Sequence, residues 1–212
     1  MNPDELTARY ATLHSMPETP ALRHIFRETH LRTAYPNMLS GPLQGAFLRM
    51  ISLLMAPSLV VEVGTFTGYS ALCLAEGLVQ GGELHTIERN PEMEQIIRRH
   101  LSDQGLDERI ILHIGDALEI IPTFRPGIDL AYIDGEKEEY VAYYEALVPQ
   151  MRPGGLILAD NVLWGGKVID PECRDKDTRA IRAFNEHVSN DPRTRQVLLP
   201  LRDGLSLIYI NP

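Results

Sequence analysis

Residues Val60 to Ser70 read VVEVGTFTGYS, and this stretch decides the fold. An apolar run, Leu59 to Val63, carries the acidic Glu62 and meets a turn built on Gly64 and Gly68. A helical pattern, YSALCLA, begins at Tyr69. A buried strand passing through a glycine turn into a helix is how α/β proteins hold nucleotide-like ligands. The glycines let the backbone come close, and the helix start offers unpaired N–H groups. The turn is Gly-x-x-x-Gly, with Phe66 where a dinucleotide fingerprint places its middle glycine. That side chain is too bulky for the close approach of a pyrophosphate, so the turn suits a nucleoside ligand without one.

Downstream, strand and helix patterns alternate. Strands are expected at 59–63, 83–88, 110–114, 128–134 and 156–160, with helices over 69–78, from Asn90-Pro91 to 104, near 117–122 and over 138–151. The last strand is apolar without alternation, which points to burial on both faces, as in a parallel sheet. A loop or lid over 162–176 follows, then a helix capped by Thr178. VLLPL and LSLIYI, with Asp203-Gly204 in the turn between them, form an antiparallel hairpin. Upstream, residues 3–14, 18–34 and the apolar run ending at Pro57 are helical, and Thr19-Pro20 opens the second. The expectation is a single domain, 1–212, with a helical cap (1–57) on an α/β core (58–212). The core is a Rossmann-like, doubly wound, mostly parallel seven-stranded sheet ending in an antiparallel hairpin.

The chain has 212 residues, 44% of them apolar and 23% charged, and a net charge of −9. That balance fits a globular protein and disfavours a broad nucleic-acid or anionic-membrane surface. Two cysteines, Cys73 and Cys173, offer no disulfide framework, which fits a reducing, cytoplasmic setting. The N-terminus lacks the basic-then-apolar pattern of a signal peptide, and no uninterrupted apolar run approaches the length of a membrane span. The seven histidines show no HExxH spacing, and neither a GxxxxGK[ST] loop nor a G-x-S-x-G elbow occurs.

In a doubly wound sheet the ligand lies beyond the carboxyl ends of the strands. Those ends carry Glu62, Glu88, Asp116, Asp134 and Asp160-Asn161. Glu88 lies about 20 residues past the glycine turn, where a carboxylate accepts hydrogen bonds from ribose hydroxyls. Asp134, Asp160 and Asn161 offer three hard oxygen ligands with no soft partner, a set that favours Mg²⁺, Mn²⁺ or Ca²⁺ over zinc. The alternative for Asp160-Asn161 is a plain turn after its strand. Lys137, three residues past Asp134, reaches the same place if that turn is helical. Trp164, the only tryptophan, either lines a substrate pocket or anchors its loop.

Several blocks follow one another along the chain: GPLQGAFL (41–48), EVGTFTGYSA (62–71), TIERN (86–90), GDA (115–117), IDGEKEEY (133–140) and DNVLWGGKV (160–168), with GLSL (204–207) in the hairpin. Together they resemble the cation-dependent class I O-methyltransferases, the caffeoyl-CoA and catechol O-methyltransferase family. The resemblance implies S-adenosylmethionine as methyl donor. Glu62, Gly64, Thr65, Tyr69 and Ser70 would hold its amino-acid end and sulfonium region, and Met38 and Ser40 would close over the methionine side. Glu88 would take the ribose, and Asp116 and Ala117 would flank the adenine. It implies a divalent cation, Mg²⁺ first, on Asp134, Asp160 and Asn161, and Lys137 as general base. It also implies a homodimer.

The chain carries Asp-Gly-Glu-Lys at 134–137 where the plant enzymes carry Asp-Ala-Asp-Lys, so the rims set by Gly135 and Glu136 differ. No run matches the segments plant enzymes use on coenzyme A. The expected acceptor is a small catechol-like or caffeoyl-like hydroxylated aromatic. One alternative is the 5-hydroxyuridine of transfer RNA, with Arg98, Arg99 and Arg109 as the basic face. Another, from a different class, is a non-catalytic donor-binding module.

Overall fold

The computed structural model describes residues 3–106 and 108–212. Three helices come first: α1 (Pro3–Leu13), α2 (Pro20–Arg32) and α3 (Gly41–Met55). The alternating part follows as β1 (Leu59–Val63), α4 (Tyr69–Ala75), β2 (Glu83–Glu88), α5 (Glu94–Ser102), β3 (Ile110–Ile114) and α6 (Ala117–Ile120). It continues with β4 (Ile128–Ile133), α7 (Tyr140–Leu147), β5 (Met151–Asp160), α8 (Lys176–Ser189), β6 (Thr194–Leu199) and β7 (Leu205–Ile210). The seven strands form one sheet in the order β3-β2-β1-β4-β5-β7-β6. β1 to β5 pair in parallel, and β7 runs antiparallel to both its neighbours. The chain winds outward from β1 to β3, then returns to lay β4 on the other side of β1. The direction of winding therefore reverses between β1 and β4.

Side chains alternate along β1, so Val61 and Val63 pack under α6, α7 and α8 while Val60 packs under α2 to α5. Both faces are covered, which is why these strands are apolar without a polar stripe. Each fully buried side chain such as Val60, Leu130 or Ile157 contributes about 1.5–3 kcal/mol relative to exposure. Cys73 lies in this core, and Cys173 is also free.

Local signals account for several element starts. Thr19 caps α2 by accepting from the Leu22 N–H at 3.2 Å, and Asn90 accepts from Glu92 N–H at 3.0 Å. The last long helix departs from expectation: Asp175, not Thr178, is its cap, and its carboxylate takes both the N–H and the hydroxyl of Thr178. The helix expected over 138–151 gives way at Leu147 to a 3-10 turn, Val148–Gln150, and the strand begins at Met151 rather than after Pro153-Gly154-Gly155. Met151 pairs with Ile128 and Leu156 with Leu130, so residues 152–155 bulge out opposite Asp129. Asp129 holds this irregularity by accepting from Arg152 and from the Ser58 and Leu59 N–H groups. The loop over 162–176 contains a 3-10 segment, Trp164–Ile169, kinked at Gly165 and Gly166.

Pro36–Met55, a 3-10 turn running into α3, is long and apolar enough to cross a membrane by length and composition, which the sequence reading did not expect. It packs against α4 and buries Gln44, Arg49 and Ser52, with Arg49 paired to Glu76. Such polar groups suit a helix packed on protein.

Candidate active site

The carboxyl ends of β1, β2, β4 and β5 open into a cavity of about 980 Å³. Gly64 sits at its floor with φ +97°, and a Cβ there would stand 2.1 Å from the Asp134 carbonyl oxygen. Only glycine lets the turn after β1 lie this close to the end of β4. The Asp134 N–H donates to Val63 O at 2.8 Å and the Gly64 N–H to Ile87 O at 2.9 Å, tying the three strand ends together. Phe66 takes φ +51°, and its N–H donates to Glu88 Oε2 at 2.8 Å, while Asn90 N–H donates to Oε1 at 2.8 Å. Glu88 is thereby fixed, with lone pairs left on both oxygens.

Glu62 does not reach the cavity wall. It is fully buried, and the Thr86 hydroxyl donates to its Oε2 at 2.5 Å, leaving Oε1 without a partner. Burial pushes its pKa up to about 8; Ser70 and Thr86 oppose the rise, though only Thr86 makes a full hydrogen bond. Thr65, hydrogen-bonded to Thr86 at 2.5 Å, extends this chain to the cavity. Tyr69 lines the cavity, but its hydroxyl donates to Glu18 Oε1 at 2.7 Å. Met38, Ser40, Ser70 and Ala117 line the wall as well. Asp116 does not: its carboxylate caps α6 through Leu118 N–H and pairs with Arg89, which lowers its pKa.

On the other wall stand Asp134, Lys137, Asp160, Asn161 and Trp164. Lys137 Nζ donates to Asp134 Oδ1 at 3.1 Å, to Gly135 O at 3.1 Å and to Tyr140 Oη at 2.7 Å. Tyr140 in turn donates to Asp160 O at 3.0 Å, so its oxygen accepts from the lysine. Burial lifts the Asp134 carboxyl, against the opposing charge of Lys137. Asp160 Oδ2 accepts from Gln44 Nε2 at 2.6 Å and Tyr132 Oη at 2.9 Å. Asn161 takes φ +58°, its backbone N–H donates to Asp160 Oδ1 at 2.8 Å, and among the described residues its side-chain amide makes no hydrogen bond. Trp164, at φ +47°, places its ring 5.8 Å from Lys137 Nζ and buries an unpartnered Nε1.

Residues 12–210 match the O-methyltransferase family. The chain belongs to that family. The methyltransferase is 34% identical over 206 residues to the mouse (Mus musculus) catechol O-methyltransferase domain-containing protein 1, covering 95% of this chain and 78% of that one. It is 29% identical over 178 residues to caffeoyl-CoA O-methyltransferase of Stellaria longipes, covering 79% and 74%. SAH-bound methyltransferase PaMTH1 of Podospora anserina superposes with a TM-score of 0.92 at 27% identity, over 100% of this chain and 97% of that one. The methyltransferase is an S-adenosylmethionine-dependent enzyme that transfers a methyl group to oxygen, which sets aside the non-catalytic alternative.

The sequence does not reveal Arg89 and Arg202, which line the cavity, or Gln44, Tyr132 and Tyr140, which are buried behind it and bond to Asp160 and Lys137. Gln44 lies inside a recognised block, but its partner Asp160 is 116 positions away. No local spacing could have joined them.

Proposed function

We propose that this enzyme methylates a small catechol-like or caffeoyl-like acceptor, with a divalent cation on Asp134, Asp160 and Asn161 and Lys137 as general base. The observation that carries this reading is one cavity with the glycine turn and Glu88 on one side and three oxygen donors beside an amine on the other. Asp134 and Asp160 bring negative charge and Asn161 an unengaged amide, a hard-oxygen set suited to Mg²⁺, with Mn²⁺ or Ca²⁺ as substitutes. A cation held there would orient two vicinal oxygens of the acceptor and lower the pKa of its hydroxyl.

Gly64, Thr65 and Ser70 give the donor's amino-acid end close backbone approach, Glu88 accepts from its ribose, and Ala117 borders the adenine. The donor carries the methyl group on its sulfonium. Lys137 Nζ, after releasing a proton to solvent and while still donating to Tyr140 Oη, is a neutral amine whose lone pair accepts the acceptor's proton. The acceptor oxygen then meets the methyl carbon in line; the C–O bond forms as the C–S bond breaks. Holding both reactants against one floor at Gly64 is where much of the rate arises.

For transfer RNA as acceptor the surface argues against: Arg98 pairs with Glu94, Arg99 with Glu28, and Arg109 donates to Leu78 O and Val79 O. A homodimer is supported by Leu6, Tyr10 and Leu13, which are 51%, 64% and 71% exposed along α1. The free cysteines accord with the cytoplasm.

The test is transfer of labelled methyl from S-adenosylmethionine to catechol, caffeate and bulk transfer RNA, with Mg²⁺ and with EDTA. Transfer to a catecholic acceptor that EDTA abolishes is expected. Transfer that survives EDTA removes the metal from the mechanism, and transfer to RNA alone removes the acceptor class.

A further inference from the structure

Four cations line the cavity: Arg32, Arg89, Lys137 and Arg202. Arg32 pairs with Glu28, Arg89 with Asp116 and Glu139, and Lys137 with Asp134. Among the described residues Arg202 alone of the four has no carboxylate within ion-pair distance, though its charge is felt at Asp134, in a chain of net charge −9. Its neighbour Asp203 also lines the cavity but is engaged by Gly165 N–H, from which its Oδ1 accepts. Among the described residues the one side-chain hydrogen bond Arg202 makes is from Nη1 to Gln44 Oε1, at 3.3 Å. A guanidinium has five donors in a planar fork, so its capacity for a bidentate anion is almost wholly unused.

Its position is imposed. Arg202 takes φ +50°, a region uncommon for a residue of this kind. The loop is clamped to the segment after Asn161 by Leu163 N–H to Asp203 O at 2.8 Å and Val162 N–H to Gly204 O at 3.1 Å. Gly204 is required there, because a Cβ would fall 2.5 Å from Leu163 Cγ. The segment that presents Asp160 and Asn161 therefore also aims Arg202. Gln44 completes the link, receiving from Arg202 at one end of its amide and donating to Asp160 at the other. In the sheet, β5, which carries Asp160, is separated from β2, which carries Glu88, by β1 and β4. Arg202 belongs to the acceptor side.

We propose that Arg202 selects acceptors carrying a carboxylate, binding that group while the hydroxyl pair faces Asp134, Asp160 and Lys137. The substrate class is then an acidic vicinal-dihydroxy aromatic rather than a neutral catechol. This rests on the reaction proposed above.

The experiment compares 3,4-dihydroxybenzoate with catechol as acceptors for the wild type, Arg202→Met and Arg202→Lys, at saturating donor and Mg²⁺, with a second series in which S-adenosylmethionine is varied. The ratio of kcat/KM for acid over catechol is expected to fall about 10–100-fold in Arg202→Met, through KM for the acid, and to recover in part in Arg202→Lys. An unchanged ratio overturns the proposal. So does an effect confined to the KM for S-adenosylmethionine, which would assign Arg202 to the donor's own carboxylate. If the wild type methylates neither compound, the reaction proposed above has failed, and calorimetry still decides the role of Arg202. Binding of 3,4-dihydroxybenzoate to SAH-loaded protein at least tenfold weaker in Arg202→Met upholds it; equal binding, or none to the wild type, overturns it.

Discussion

Gln44 Nε2 donates to Asp160 Oδ2 at 2.6 Å, joining a helix near the start of the chain to the end of a central strand 116 residues later. Both side chains are almost wholly buried. A carboxylate in that position needs its partners, because a buried unpaired acceptor costs about 1–3 kcal/mol.

Gln44→Leu keeps the volume and removes the donor. Stability in urea denaturation is expected to fall by about 1–3 kcal/mol. Asp160 keeps only Tyr132 and its own turn, so the Mg²⁺ concentration for half-maximal activity should rise by roughly 10–100-fold. A variant with wild-type stability and metal requirement would show that this bond does not organise the site.

Gly64→Ala places a methyl 2.1 Å from Asp134 O at φ +97°. The backbone conformation alone costs roughly 1–3 kcal/mol, and β4 must move as well. Loss of donor binding in calorimetry, with a lowered melting temperature, is the expected result. Normal binding would mean that the turn and β4 need not touch.

Glu62 should make stability fall on the alkaline side. Its pKa rises from an ordinary 4.5 to about 8 in the fold. Folding therefore favours the protonated form, so its contribution is complete below 4.5 and is lost as pH climbs through about 8. Denaturation midpoints between pH 6.5 and 9 should decline in the wild type and much less in Glu62→Gln. Parallel curves for the two proteins would refute this assignment.

His85 and His113 should act on the acid side. Their rings meet at 2.9 Å between Nδ1 and Nε2, beside Phe124, and burial lowers the pKa of each below 6.5. A histidine held neutral by the fold contributes stability above its ordinary pKa, and this is lost as pH falls through the lowered value. His100, lowered in the same way, adds to the loss. Melting temperature should drop from pH 7 to 5.5, and His113→Gln should lessen the drop. The same slope in the variant would clear this pair of the effect.

Much of the architecture was legible because its signals are local. The strand periods, Thr19, Asn90 and the glycines at 64 and 68 each act within a few residues, and the sheet followed from their alternation. The strand through Pro153-Gly154-Gly155 was not legible, because those residues read as a stop unless Asp129 is known to hold a bulge opposite them. Thr178 read as a cap because the competing Asp175 lies in a stretch of mixed charge. Among the site residues, Asp116 sits at the right strand end, yet Arg89 and its own helix draw its carboxylate away from the cavity. Tyr69 faces the cavity with its hydroxyl committed to Glu18.

The sequence by itself determined the alternation of strand and helix, the strand-end carboxylates and the glycine turn at Val60–Ser70. These depend on side-chain period and on conformations open to a few residues. Only the tertiary structure decided which polar groups meet. Glu62 belongs to a buried chain with Thr86, Gln44 supports Asp160, and Arg202 stands in the cavity bonded to Gln44. Those relationships cross long stretches of chain, and burial sets them by leaving each polar group only the partners that packing brings within reach.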